Sequence, residues 1–535
     1  MKYINSIAPL IGYEGVVRSP YFVDKSAMIS ALVPSIATSN MYVCVTRPRR
    51  FGKTTNAQML ASFLSRDTQA TDLFEQLNIT QDKHAMTHCG THDVVYIDFS
   101  ALPDECSSYT DYINAIRRGL VRDLHQFAPT AEIEEGTNLL DALDRTFQKT
   151  GARFCFIMDE WDSMFFNPLF TTEDQRAFLM FLKQLLKTKP YVELAYMTGV
   201  LPITKHSTGS ELNMFVEYNA VEDPRFEEFF GFTEAEVAKL CALHHERNPQ
   251  ARVDYEGLAN WYDGYLTETG ERRFNPRSVV LALGDDSLRS YWTESGPYDE
   301  IYYYVRHNTD AVREDIVRMV AGESVRADMK NYAASAMSLS SRNEILSAMV
   351  IYGFLTYYDG AVSIPNHELM LKFQDVLSKR EMGYVASLAL RSESLLNATL
   401  RRDGEEVAHV LEAAHDQEVP LLRYANEADL AALVNLVYLA ARDRYWVRRE
   451  EPAGKGVADI AFIPKNTSDN RWTPFIVELK AAGSAQEAID QIRQRNYGAL
   501  FADAFADTAP DKHPLAVGIC WDPQTKTHEC LIEEM

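Results

Sequence analysis

Between residues 41 and 199, apolar positions fall into short unbroken runs separated by segments of helical spacing. The runs are Met41-Tyr-Val-Cys-Val-Thr46, Val94-Val-Tyr-Ile-Asp-Phe99, Arg153-Phe-Cys-Phe-Ile-Met-Asp159 and Tyr191-Val-Glu-Leu-Ala-Tyr-Met-Thr-Gly199. Unbroken rather than alternating runs predict strands buried on both faces. Helical periodicity is expected over 27–36, 56–64, 108–126, 136–149 and 174–188. Strand alternating with helix predicts a parallel sheet covered on both sides. Beyond residue 230 the pattern becomes mostly helical. Phe232-Thr-Glu-Ala-Glu-Val237 reads as a helix start with a Thr N-cap and Glu three residues on, a capping box. Trp261-Tyr-Asp-Gly-Tyr265 and Phe274-Asn-Pro-Arg-Ser-Val279 bracket a turn and a further helix start, and 348–366 reads as helix, strand, turn, strand. The last part of the chain offers an amphipathic helix over 426–438, strands over 445–450, 456–463 and 475–480, and a helix over 488–497.

The first strand runs into Arg47-Pro-Arg-Arg-Phe-Gly-Lys-Thr-Thr55 and then into a helix. Strand, tight loop and helix opening at Gly-Lys-Thr is the layout of a phosphate-binding P-loop. Unpaired N–H groups at a helix start favour an anion. Arg49, Arg50, Phe51, Gly52, Lys53, Thr54 and Thr55 form the expected nucleotide cradle. Lys53 reaches the β- and γ-phosphates and the Thr54 hydroxyl holds Mg²⁺. One departure is that Arg47 stands where the general pattern has its first glycine. The third run ends in Asp159-Glu160, an acidic strand end of Walker B type. Asp159 is expected on Mg²⁺ and Glu160 as the group that polarises attacking water. Thr198 ends the fourth run, at the position of a γ-phosphate sensor.

Charge and composition narrow the class. At 535 residues, with 46% hydrophobic and 24% charged content, several soluble domains are expected. No apolar run of about 18 residues predicts a membrane span, and the first ten residues are too poor in apolar positions for a signal peptide. The 7 cysteines lack any C-x-x-C pair, as expected of reduced thiols in a cytoplasmic protein. A net charge of −23 argues against nucleic-acid binding by the whole surface. Residues 421–535 carry 13 Lys/Arg against 17 Asp/Glu, so most of the excess acid lies upstream. His84, His88, Cys89 and His92 fall close together, but Gly90 interrupts them. Their spacing matches no common metal pattern, so a polar surface loop is expected there.

A second constellation lies near the end. Asp459 falls within one strand run and Glu478-Leu-Lys480 within the next. Residues two apart on a strand share a face, so Glu478 and Lys480 point one way and Val477 and Leu479 the other. Asp459 and Glu478 are candidate oxygen ligands for Mg²⁺ or Mn²⁺, with Lys480 placed for transition-state charge. Glu427, near the start of the preceding helix, would complete the acidic pocket. Gln491 sits on the following helix, with Arg495 and Tyr497 as candidate phosphate contacts.

The two constellations together resemble bacterial AAA-ATPase-like proteins fused to a C-terminal PD-(D/E)xK nuclease-superfamily domain. Matching pieces are Tyr21-Phe-Val-Asp-Lys-Ser26, Arg47–Thr54, Met158-Asp-Glu160, Met197-Thr-Gly-Val200, Gly231–Val237, Tyr262-Asp-Gly-Tyr265, Asn275-Pro-Arg-Ser278, Ser363-Ile-Pro-Asn366 and the Asp459, Glu478, Lys480, Gln491 set. Val457-Ala458 precede Asp459 where the nuclease motif has its proline. The resemblance implies an α/β P-loop NTPase fold, AAA-like or STAND-like, over 1–228. It implies a helical, winged-helix-like lid over 229–400 and a restriction-endonuclease-like domain over 401–535. Glu160, Glu478, Lys480 and Gln491 are the expected catalytic residues. Thr54, Asp159, Glu427, Asp459 and Glu478 are the expected metal ligands. ATP and Mg²⁺ are the implied cofactors, and nucleic acid, DNA or RNA, is the implied partner, with oligomerisation open. The alternative is an ATP-dependent switch or scaffold, acting on protein partners, whose nuclease fold is silent.

Overall fold

A computed structural model describes residues 2–67, 70–104, 106–134, 136–203, 211–219, 224–292, 310–320, 322–329, 341–378, 392, 394–418, 427–438, 441–442, 444–465, 471–501, 513–525 and 527–535. The chain divides into two compact units: Met1–Gly296 with Arg326–Glu368, and Pro297–Val325 with Leu369–Met535. Among the described residues no helix is long and apolar enough to cross a membrane.

The first unit is built on a five-stranded parallel sheet. Its strands are β1 (Tyr42–Thr46), β2 (Asp93–Asp98), β3 (Phe154–Asp159), β4 (Val192–Gly199) and β5 (Val216–Tyr218). Their order is β2-β3-β4-β1-β5. All of β1 and β3 is buried, the outcome the unbroken apolar runs predict. The chain leaves β1, crosses to the far edge at β2, and steps back through β3 to β4 beside β1. In open parallel sheets ligands bind at such a reversal, beyond the carboxyl ends of the strands. The outer side of β2 is covered: Ile4 bridges antiparallel to Val95, and Asn5 N–H donates to Val94 O at 2.8 Å.

The helix expected over 27–36 is shorter, a turn at Met28–Leu32 followed by a 3-10 turn at Val33–Ser35. Pro34 has no N–H to continue the α-helical ladder. The capping box at Thr233 and Glu236 is present. Lys25, from the segment before the first strand, donates to both oxygens of Glu236 at 2.7 and 2.8 Å. Helices Glu234–Arg247, Tyr255–Tyr262 and Pro276–Asp285 share an apolar core around Leu240, Leu258, Tyr262 and Val279. Helix Arg342–Tyr352 leads into an antiparallel hairpin of Thr356–Tyr358 and Ala361–Ser363. Gly264 has a φ of +103°, and a side chain there would overlap the carbonyl oxygen of Pro365, so the Tyr-Asp-Gly-Tyr motif needs its glycine.

The second unit holds a mixed sheet of β6 (Tyr445–Ala453), β7 (Gly456–Pro464), β8 (Phe475–Lys480), β9 (Leu515–Asp522) and β10 (Thr527–Glu534), in chain order across the sheet. Only β8 and β9 pair in parallel among the neighbours. One core combines Val477 and Leu479 with Leu430, Leu433 and Val434 of helix Glu427–Val437. The other combines Ile476 with Ile489 and Ile492 of helix Ala485–Gln494. Both faces of β8 are therefore covered.

Glu368 is a buried carboxyl through which pH is expected to act on the first unit. Buried at the start of helix His367–Ser378, it accepts from the Ser278 hydroxyl at 2.8 Å and from Trp292 N–H. Burial pushes its carboxyl from 4.5 up to about 7. The folded form binds this proton more tightly than the unfolded chain, so the stabilisation is complete below 4.5 and lost as pH rises through about 7. The expected contribution is about 3 kcal/mol. Thermal melts across that interval should show the first unit's midpoint falling with pH, and Glu368→Gln should flatten the dependence.

Candidate functional site

At the end of β1 the chain turns sharply. Arg50 has a φ of +70° and Gly52 of +89°, so Gly52 occupies the left-handed region that a side chain disfavours. Helix Lys53–Leu64 starts immediately, and no side chain caps its first turn. The N–H groups of that turn are thus open to an anion, with the helix dipole favouring it.

Lys53 is buried and donates to Arg47 O at 3.0 Å and Pro48 O at 2.9 Å. Burial lowers its pKa, while Asp162, Asp159 and Glu160 act in the opposite direction. Asp159, at the carboxyl end of β3, accepts at Oδ1 from the Thr198 hydroxyl and from Glu160 N–H, with the Thr54 side chain beside it. Its Oδ2 has no hydrogen-bond partner among the described residues. Burial raises its pKa. Glu160 has a φ of +48°, an unusual conformation for a non-glycine residue. Its carboxyl is raised by burial first and by Asp159 second. Lys53, Thr54, Asp159, Glu160 and Thr198 therefore form one cluster. A buried carboxylate with an orphaned oxygen beside a threonine hydroxyl fits a hard divalent cation.

The arginines of the loop do different work. Arg47 is buried and donates through Nη1 to Thr46 O and Tyr218 O, both at 2.8 Å, with its guanidinium 5.2 Å from the Phe230 ring centre. It therefore ties the ends of β1 and β5 together. Arg49 lies over Phe166 and Tyr352, at 5.3 and 5.9 Å. Arg50 lies 5.6 Å from the Trp292 ring centre and donates to Tyr291 O at 2.9 Å. Phe51 packs edge-on against Tyr265, with centroids 4.8 Å apart. The side chains at 49–51 anchor the loop, leaving its backbone and Lys53 to face the cluster. Asp162 was not foreseen from the motif. It is buried and accepts from Val200 and Leu201 N–H, both at 2.7 Å, and its negative charge acts on Lys53 more strongly than that of Asp159 or Glu160. The signal was present, as the third acid of Asp159-Glu-Trp-Asp162.

In the second unit, β7 and β8 pair antiparallel up to Ile460 opposite Val477. Where that pairing ends, Leu479 N–H donates instead to Asp459 Oδ2 at 2.8 Å. Glu478 is 1% exposed. Its Oε1 accepts from Gln491 Nε2 and lies 3.8 Å from Lys480 Nζ. Its Oε2 has no partner among the described residues. Burial, then Asp459, pushes its carboxyl up to about 7, with Lys480 opposing. Asp459, Glu478, Lys480 and Gln491 thus converge, and the orphaned oxygen beside a second carboxylate again fits Mg²⁺ or Mn²⁺. Helix Glu427–Val437 begins at Glu427, whose side chain lies outside the described residues. Arg495 and Tyr497 fall beyond the end of helix Ala485–Gln494. Tyr497 is buried and donates to Val457 O at 2.7 Å, which makes it a packing residue and not a phosphate contact.

Residues 15–208 match the family model described as Predicted AAA-ATPase. This part of the chain is an AAA-ATPase-like domain. A curated relative, the uncharacterized protein in the vnfD 5' region of Azotobacter chroococcum mcd 1, is 25% identical over 282 residues, 52% of this chain. The chain covers 51% of that relative, about half its length. Among solved structures, the Walker-type ATPase PABY2304 of Pyrococcus abyssi aligns with a TM-score of 0.36 at 12% identity, over 65% of this chain and 94% of its own. The Aeropyrum pernix ORC2 protein aligns at 0.32 and 13%, over 68% and 92%. The Aeropyrum pernix ORC1 protein, solved in complex with DNA, aligns at 0.27 and 14%, over 72% and 99%.

In the AAA-ATPase-like domain, Arg47→Gly restores the general P-loop consensus yet removes a buried guanidinium that satisfies two carbonyls. The expected outcome is a loss of about 3 kcal/mol, read as an earlier urea transition of the first unit.

Proposed function

We propose that this protein binds and hydrolyses ATP in its AAA-ATPase-like domain, and that ATP state controls a divalent-metal-dependent nuclease in the second unit. The observation that carries the nuclease reading is the convergence of Asp459, Glu478, Lys480 and Gln491 around a buried carboxylate oxygen with no partner among the described residues. Such an oxygen is costly unless something satisfies it.

In the first unit, the open turn at Gly52 to Thr55 receives the phosphates of ATP. Lys53 exchanges its two loop carbonyls for phosphate oxygens. Thr54 and Asp159 hold Mg²⁺, Glu160 orients the attacking water, and Thr198 keeps Asp159 in place through its hydroxyl. Asp162 stays bonded to the chain at 200–201 and balances the buried ammonium. In the second unit, Asp459 and Glu478 hold the cation. A metal there polarises the phosphodiester and lowers the pKa of a bound water. Lys480 neutralises charge that develops on the phosphate, and Gln491 fixes the orientation of Glu478. A second reading, a switch acting on protein partners with a silent nuclease fold, is favoured by the net charge of −23, which repels nucleic acid outside a local groove.

The two sites are separable by substitution. Lys53→Ala should weaken ATP binding about 100-fold, measured by fluorescent-nucleotide titration, and should remove the ATP response of cleavage. Glu478→Ala and Lys480→Ala should abolish metal-dependent cleavage of DNA or RNA while leaving nucleotide affinity unchanged. If wild type cleaves neither DNA nor RNA with Mg²⁺ or Mn²⁺, in the presence or absence of ATP, the nuclease assignment fails and the switch reading takes its place.

A further inference from the structure

The amino ends of β2, β3 and β4 lie at the opposite end of the sheet from the P-loop. There the structure gathers residues that are far apart in sequence. His92 Nδ1 lies 2.7 Å from Glu193 Oε1, across 101 residues. The Cys155 thiol donates to the same oxygen at 3.4 Å, across 38 residues. One potential ligand atom from each of His92, Cys155 and Glu193 lies within 4.8 Å of the others. We infer that His92, Cys155 and Glu193 form a binding site for a borderline divalent cation of the zinc or cobalt kind.

Four features make this a built site. The donor set of imidazole, thiol and carboxylate suits zinc and cobalt. Glu193 reaches the others through a β-bulge. Phe154 pairs with Val192 but Cys155 pairs with Leu194, so Glu193 is the extra residue of β4. Bulges re-aim side chains and are costly to the ladder, and here the freed Glu193 carbonyl accepts from Ala37 N–H at 2.7 Å. His92 sits on pinned backbone: its N–H donates to Leu64 O at 2.9 Å and its carbonyl accepts from Arg66 N–H at 3.0 Å. Finally, His92 Nε2 lies 2.9 Å from His88 Nδ1, with the two rings stacked 5.1 Å apart. A ligating histidine commonly has its second nitrogen held this way, which fixes its tautomer. The loop expected to be merely polar thus supplies one ligand, His92, and one orienting residue, His88, whereas the remaining donors come from distant strands.

Binding exchanges the Cys155 S–H proton for the metal: the thiol releases H⁺ to solvent and the thiolate pair forms the new bond. One thiolate and one carboxylate then balance the dication, so the pocket carries no net charge, and the fourth coordination position stays open to water.

The test is a Co²⁺ titration of the full-length protein, with Zn²⁺ competition against a chromophoric chelator. Wild type should show a stoichiometric thiolate-to-cobalt charge-transfer band, displaced by Zn²⁺. Cys155→Ser should lose the band, and Cys89→Ser should keep it. His88→Ala should weaken Zn²⁺ binding about 10–100-fold with the band retained, a response that a merely structural histidine stack does not produce. His92→Gln, on a partly exposed side chain, gives an arm independent of the buried cysteine, and it should lose tight binding. Absence of binding by wild type, or a band unchanged in Cys155→Ser or His92→Gln, overturns the site.

Discussion

A buried ammonium sets the terms for the first sheet. Lys53 is almost wholly withdrawn from water, and an unpaired charge in that position would be untenable. Two loop carbonyls accept its protons, and Asp162, Asp159 and Glu160 supply the opposing field. Those acids are costly in turn. Asp159 is sustained by the Thr198 hydroxyl and the Glu160 N–H, and Asp162 by two backbone N–H groups. The elements at the carboxyl edge are therefore mutually dependent: the helix after β1 carries the cation, the end of β3 and the turn after it the acids, and the end of β4 with residues 200–201 groups that satisfy them.

What sequence alone revealed follows from how local each signal is. Continuous apolar runs located β1 to β4 because a strand buried on both faces must be apolar throughout. The Thr233 capping box was legible because its two partners lie three residues apart. Glu478 and Lys480 could be placed together because strand parity fixes which residues share a face, and Asp459 and Gln491 joined them through motif spacing and the family resemblance. The role of Arg47 was not legible. Its partner Tyr218 lies 171 residues away, and nothing near position 47 announces that a guanidinium will tie two strand ends together. The same holds for Cys155 and Glu193, which looked like ordinary members of apolar runs until the parallel register and a bulge brought them to His92. Motif spacing also misplaced Tyr497, since the helix ends at Gln494 and the ring turns inward.

The two units address the same physical difficulty in different ways. In the first, buried charges of both signs are interleaved around a loop. In the second, burial first and the neighbouring Asp459 second push the Glu478 carboxyl up to about 7, and a lysine offsets them only partly. Each keeps one buried carboxylate oxygen without a partner among the described residues, Asp159 Oδ2 in the first and Glu478 Oε2 in the second.

The short antiparallel pairing of Ile4 with Val95 bears on solubility rather than chemistry. An uncovered outer strand offers its backbone donors and acceptors to any other chain that passes. Asn5 and its neighbours occupy the edge of β2, so the sheet is closed on that side by its own polypeptide. Trimming those residues to improve expression would expose an adhesive border, and the trimmed protein would tend to self-associate even with its nucleotide pocket intact.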